Sequence, residues 1–179
     1  NEVFKDGGGG LRDNSNWIRI YGDDSFIVNA FTYAKKYAPS GCKLYLNDFN
    51  EYMPAKLNDL YSLATKLKGL GVIDGIGMQS HLSTDYPSAA VYSTAVEKFI
   101  ATGLDVQVTE LDITNSSEDR QAQAFKDIFS ILVKNSAHFS SVTVWGTNDS
   151  ISWRRQQNPL LFSAGYKPKK AYTAIMSLV

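Results

Sequence analysis

The chain has one cysteine in 179 residues, two histidines and five prolines. A lone thiol excludes an internal disulfide, and no Cys/His spacing has the form of a zinc site. Cys42 reads as a buried strand residue. No apolar run approaches the roughly 18 residues of a membrane span, and the first residues carry no signal-peptide pattern. The chain opens on Asn1 and Glu2 instead of Met, which implies that an upstream portion was removed or lies elsewhere. No charge of either sign is in excess: 18 basic and 18 acidic residues give a formal net charge of zero. That excludes the broad positive field that nucleic acid or an anionic membrane surface requires. There is no internal repeat and no linker. The one biased stretch, "GGGG" at 7–10, lacks a following Lys-Ser/Thr and so reads as a flexible loop before the first helix, not as a phosphate cradle. A dinucleotide fingerprint and a G-x-S-x-G elbow are also missing.

What is present is an ordinary globular composition, 44% hydrophobic and 12% aromatic, long enough to bury a sizeable core. Four short continuous apolar runs read as strands covered on both faces: "CKLYLND" (42–48), "IDGIGMQSH" (73–81), "LDVQVTELDI" (104–113) and "SVTVWG" (141–146). Helical periodicity fills the gaps, over 25–38, 54–71, 87–103, 117–137 and 168–178. The second and third of these open on proline and close near glycine. Strand and helix alternating about every 30 residues predict βα units and a parallel sheet. A closed (β/α)8 barrel needs eight strands and typically about 250 residues. Four strands, plus one that would end at Asn1-Glu2, look like the second half of such a barrel. A small flavodoxin-like sheet is the structural alternative.

Chemistry in α/β folds gathers beyond the carboxyl ends of the strands. Here those ends carry Asn47 and Asp48, then Gln79, Ser80 and His81, then Glu110 and Asp112. After the last run come Trp145, Asn148, Asp149 and Trp153. "VQVTELDI" is the sharpest case, because an apolar strand suddenly carries two carboxylates. A metal site of His81, Glu110 and Asp112 is one reading. Another is that Glu110 is a buried carboxylate paired with His81 or a basic residue. Carboxylates accompanied by tryptophans point to glycoside hydrolysis, in which two carboxyl groups flank the scissile bond and indole faces stack on sugar rings.

Taken together, "VQVTELDI", "GVIDGIGMQSHL", "LYLNDFN" and "VTVWGTNDSISW" resemble glycoside hydrolase family 10, the retaining endo-β-1,4-xylanases. The opening "NEVFKDGGGGLRDNSNW" resembles the family's segment after the fourth barrel strand, and "PLLFSAGYKPKKAYTAI" resembles its C-terminal end. The resemblance covers nearly the whole chain. It implies a (β/α)8 TIM barrel of which residues 1–179 supply the C-terminal half, the last four strands and their helices, with the N-terminal half in no part of this chain.

The resemblance implies Glu2 as general acid/base and Glu110 as nucleophile, groups that retaining chemistry holds roughly 5–5.5 Å apart. His81 would hydrogen-bond Glu110 and be held by Asp112. Asn1 and Gln79 would contact the sugar at the cleavage point, Asn47 would line the cleft, and Trp145 and Trp153 would wall it. No metal or cofactor is implied. The partners are xylan or xylo-oligosaccharides and the complementary N-terminal half of the barrel, with no nucleic acid and no membrane. Secretion or display at the cell surface is inferred from the size of a polymeric substrate. Two positions depart from the family pattern: Leu46 and Phe49 stand where tyrosine is common, so an aromatic contact on the leaving-group side and one hydroxyl are lost. The functional alternative is a non-catalytic half-barrel that binds or assembles with a complementary segment.

Overall fold

In the computed structural model, which describes residues 1–178, the βα alternation appears as β1 (Tyr45–Asp48), α3 (Pro54–Gly69), β2 (Gly75–Met78), β3 (His81–Ser83), α4 (Ala89–Ile100), β4 (Asp105–Thr114), α5 (Glu118–Lys134), β5 (Phe139–Val144) and α6 (Lys170–Met176). Two helices precede it, α1 (Asn16–Tyr21) and α2 (Ser25–Tyr37). The chain divides into two compact units, Asn1–Gln79 with Ala95–Gln107, and Ser80–Thr94 with the residues from Val108 onward. No helix among the described residues is long and apolar enough to cross a membrane.

In the first unit β1 and β2 run parallel, with Tyr45 opposite Gly75 and Asp48 opposite Met78. Gly75 is required there, because a Cβ would sit 2.1 Å from the Tyr45 ring and 2.8 Å from the Asp105 carbonyl oxygen. The space left open lets the Tyr45 hydroxyl reach the Asp105 carboxylate. Helix α3 starts at Pro54, whose missing N–H is no loss in a first turn. It buries Leu57, Leu60, Leu63, Ala64 and Leu67 along one face, as its i, i+3, i+4 spacing predicts.

On the same helix Lys56 is fully buried, its Nζ 2.8 Å from Asp48 Oδ1 and 3.8 Å from the centroid of the Phe49 ring. Asp48 also accepts from the backbone N–H of Phe49 at 2.9 Å and of Phe4 at 3.4 Å, so one carboxylate ties the N-terminal segment to the end of β1. Removing one partner of a fully buried pair leaves an uncompensated charge. Asp48→Ala is therefore expected to lower the unfolding free energy by about 3–5 kcal/mol, measured by urea denaturation. A change below 1 kcal/mol would contradict this placement.

The glycine run packs against α3. Gly9 and Gly10 donate backbone N–H bonds of 2.7 and 3.0 Å to Asp59 Oδ2 on α3. Gly8, at φ +84°, lies so near the helix backbone that a Cβ would fall 2.2 Å from Lys56 N. Only glycine fits that approach.

In the second unit β3 pairs in parallel with the end of β4, His81 opposite Asp112 and Ser83 opposite Thr114, and β5 also pairs with β4. Ser117 caps α5 by accepting from Arg120 N. From that helix the buried Gln121 donates to the carbonyls of Ile113 and Asn158. Lys169 is buried against Asp149 at 2.9 Å and donates to the carbonyls of Asn158 and Leu160, which fixes the segment that follows β5.

Two expectations need correction. The run 73–81 is two strands, because Ser80 adopts φ +60° and interrupts the extended backbone before His81. Cys42 is exposed, since β1 begins only at Tyr45 and Cys42 N closes a turn onto Pro39 O at 3.1 Å. Within the described residues taken alone, strand β5 has no fully buried residue. Helix α1, unforeseen, is capped by Ser15 and ended by Gly22 at φ +80°.

Candidate active site

The sequence-derived site residues fall into two clusters, each inside one unit. In the first, the N–H of Glu2 donates to the Asn47 carbonyl at 3.0 Å, which lays the start of the chain beside the end of β1. Asn47 Nδ2 then donates to Asn1 Oδ1 at 2.7 Å. Gln79, just past β2, donates from Nε2 to Glu2 Oε1 at 3.2 Å and to Asn1 Oδ1 at 3.4 Å. Glu2 itself sits at φ +56°, a left-handed conformation uncommon for a side chain with a Cβ. Its other oxygen lies 3.9 Å from the guanidinium of Arg12. Asn1, Glu2, Asn47 and Gln79 thus converge, beside a cavity of about 300 Å³ whose walls include Arg12, Trp17, Phe31 and Leu46. Leu46, at the back of that wall, is 1% exposed.

The second cluster is built on β4. Glu110 and Asp112 are two residues apart and so leave the strand on the same face. His81, opposite Asp112 in the parallel register, places its ring between them. His81 Nε2 is 3.3 Å from Glu110 Oε2, and Nδ1 is 3.0 Å from Asp112 Oδ2. Asp112 is wholly buried. Its Oδ2 also accepts from Trp153 Nε1 at 2.9 Å, and its Oδ1 accepts from Arg154 at 2.7 Å. The Trp153 ring meets the imidazole edge to face, 5.0 Å between centroids at 68°. Its edge is therefore anchored while 63% of the residue stays exposed. Trp145, the residue after β5, is 45% exposed, and its N–H donates to the Leu111 carbonyl at 2.9 Å.

Burial alone would push the His81 pKa down. The interaction of the ring N–H with the accepting Asp112 carboxylate and the charges of Asp112 and Glu110 outweigh it, Arg154 opposing them, so the pKa is raised above 6.5. A raised folded-state value means a stabilising contribution that is complete below pH ~6.5, the unfolded value, and lost as pH rises through the folded value. The stability difference between the wild-type chain and His81→Asn, from urea unfolding at a series of pH values, should therefore narrow as pH rises above about 6.5. A difference that widens with pH would contradict this electrostatic assignment.

Two residues of the clusters were not read from the sequence, Arg12 and Arg154. An arginine in a loop has no pattern to announce it, and only the fold puts these guanidiniums on Glu2 and Asp112. Each nitrogen of His81 is directed at a different carboxylate, and Asp112 is occupied by Arg154 and Trp153. That is a charge relay built on close N···O approaches of 3.3 and 3.0 Å. Among the described residues no group of three His, Cys, Asp or Glu side chains is arranged to hold a metal ion.

The family model for glycosyl hydrolase family 10 matches residues 1–178. The chain belongs to glycosyl hydrolase family 10. It is 62% identical over 180 residues to the bifunctional endo-1,4-beta-xylanase XylA of Ruminococcus flavefaciens, covering 99% of this chain and 19% of that protein. Among solved structures it is similar to the Clostridium thermocellum endo-1,4-beta-D-xylanase 10B CBM22-1–GH10 modules complexed with xylohexaose. There the TM-score is 0.88 at 42% identity, over 96% of this chain and 36% of that one. It is also similar to a GH10 endoxylanase from a sugarcane soil metagenome, with a TM-score of 0.91 at 33% identity, over 99% of this chain and 60% of that one. The chain thus spans about a fifth of the length of the Ruminococcus relative and less than two thirds of these family 10 structures.

Proposed function

We propose that residues 1–179 are the C-terminal half of a (β/α)8 catalytic barrel that hydrolyses internal β-1,4 bonds of xylan with retention of configuration, acting outside the cell together with a complementary N-terminal half. The observation that carries this reading is the Glu110–His81–Asp112 relay at the end of β4 in a chain of family 10. Relatives named as endo-1,4-beta-xylanases and a solved neighbour complexed with xylohexaose support the substrate class.

In this reading Glu110 attacks the anomeric carbon. The bond from that carbon to the bridging oxygen breaks as Glu2 delivers its proton to the leaving oxygen. Glu2, now a carboxylate, takes a proton from water, whose oxygen displaces Glu110 and restores both groups. His81 and Asp112 hold the nucleophile, Asn1, Gln79 and Asn47 bind the sugar, and Trp145 and Trp153 wall the cleft. Hydrogen bonds to Glu2 from Gln79 and Asn1 support an ordered acid.

The test is xylan hydrolysis by the complete catalytic polypeptide. Viscosity should fall faster than reducing ends accumulate, as internal cleavage requires, and the first product should carry the β configuration by proton NMR. Xylan binding without release of reducing ends would instead identify a non-catalytic half-barrel, and an α product would overturn the double displacement.

A further inference from the structure

Arg154 lies outside the set of residues that the proposed reaction uses, yet it makes the shortest contact to the buried carboxylate of the relay. One nitrogen of its guanidinium donates both to Asp112 Oδ1 at 2.7 Å and to the Leu82 carbonyl of β3 at 3.0 Å. The neighbouring Trp153 Nε1 holds the other oxygen, Oδ2. Asp112 has no solvent exposure, and the arginine side chain only 20%. A carboxylate on a strand can rotate about two side-chain bonds. Pinned at both oxygens, it keeps Oδ2 aimed at His81 Nδ1, and a ring held at Nδ1 presents Nε2 to Glu110. The second donation fastens the same guanidinium to the strand that carries His81, so the relay's two strands are bound through one nitrogen.

We propose that Arg154 is a positioning residue and counter-charge for the Glu110 relay: it clamps Asp112 to β3 and cancels part of the negative charge that His81 faces. The proposal rests on the reading of Glu110 as nucleophile. The charged groups facing His81 are Asp112 and Glu110 from β4, and Arg154 from the loop after residue 151. Two anions against one cation set the protonation of the ring. Without Arg154 the imidazolium is favoured to higher pH, and Glu110 then faces a stronger donor that withdraws charge from the attacking oxygen. Looser aim and a weaker nucleophile both slow the glycosylation step and leave substrate binding largely intact. Partners that orient a functional group from behind are typically worth about 10- to 100-fold where they have been removed, as at metal sites.

The test uses Arg154→Met and Arg154→Lys in the complete catalytic polypeptide, with an unsubstituted xylo-oligosaccharide as substrate, whose poor leaving group keeps the glycosylation step slow. His81 is titrated by NMR of its imidazole in each variant. Arg154→Met is expected to lower kcat about 10- to 100-fold with KM changed less than threefold, and to move the His81 titration to higher pH. Arg154→Lys, which keeps the charge and several donors on one nitrogen, should recover most of the rate and return the titration toward wild type. A purely structural role would lower stability without moving the His81 titration, and that result overturns the proposal, as does an unchanged kcat. Should Arg154→Met not fold, Arg154→Gln, a neutral donor, carries the same two readouts. Glu110→Ala is run in parallel. If it stays active, the nucleophile reading has failed, whereas an inactive Glu110→Ala with an indifferent Arg154→Met refutes the arginine's role alone.

Discussion

Glu110→Ala in the complete catalytic polypeptide should reduce kcat on xylan by about five orders of magnitude, or ~7 kcal/mol of transition-state stabilisation. The magnitude follows from the step that is lost. Without the carboxylate no covalent glycosyl-enzyme forms, and water cannot take the same trajectory at a comparable rate. Fold and binding should survive, because Glu110 is partly exposed while the buried anchor of the cluster is Asp112, held by Trp153 and Arg154. Steady-state rates on soluble xylan and circular dichroism together check this. A folded variant within tenfold of wild type would remove Glu110 from the nucleophile's role.

Glu2→Ala should be damaging in a different and diagnostic way. General acid catalysis contributes about 10²–10⁴-fold, and its loss is felt in proportion to how poor the leaving group is. Xylan, which departs as a sugar alcohol, should lose the full factor. An aryl xyloside, which departs as a weakly basic phenolate, needs little protonation in the first step and should lose far less in that step. Pre-steady-state rates on the two substrates measure the ratio. Equal losses on both would show that Glu2 supports structure or binding and does not transfer the proton. Gln79 and Asn1 donate to Glu2 Oε1 and Arg12 stands 3.9 Å from Oε2. These surroundings give the group defined neighbours.

Glu110 and Asp112 were legible because they break the rule of the strand that carries them. An apolar run tolerates two carboxylates only where they have partners, and the parallel register supplies His81 opposite Asp112. Helix α3 was legible because five apolar side chains recur at helical spacing behind a proline. Features that depend on single dihedrals or on distant neighbours were not. Ser80 at φ +60° splits one apolar run into β2 and β3, and serine has no propensity that announces a left-handed residue. Cys42 belongs to a turn after Pro39, so a residue type that is usually buried is exposed here. The glycine run had the composition of a loose loop, and only the approach of Gly8 to Lys56 and the Asp59 carboxylate shows what it packs against. Arg154 was invisible for the same reason: its partner is Asp112, 42 residues away.

The most direct measurement is mass spectrometry of the complete catalytic polypeptide quenched during turnover of a 2-fluoro xylo-oligosaccharide, a substrate whose second step is slow. One glycosyl unit should be found per molecule, on the peptide containing Glu110, and it should be absent from Glu110→Ala. An unmodified protein that nevertheless releases product, or an adduct mapped to any other side chain, would contradict the proposed double displacement.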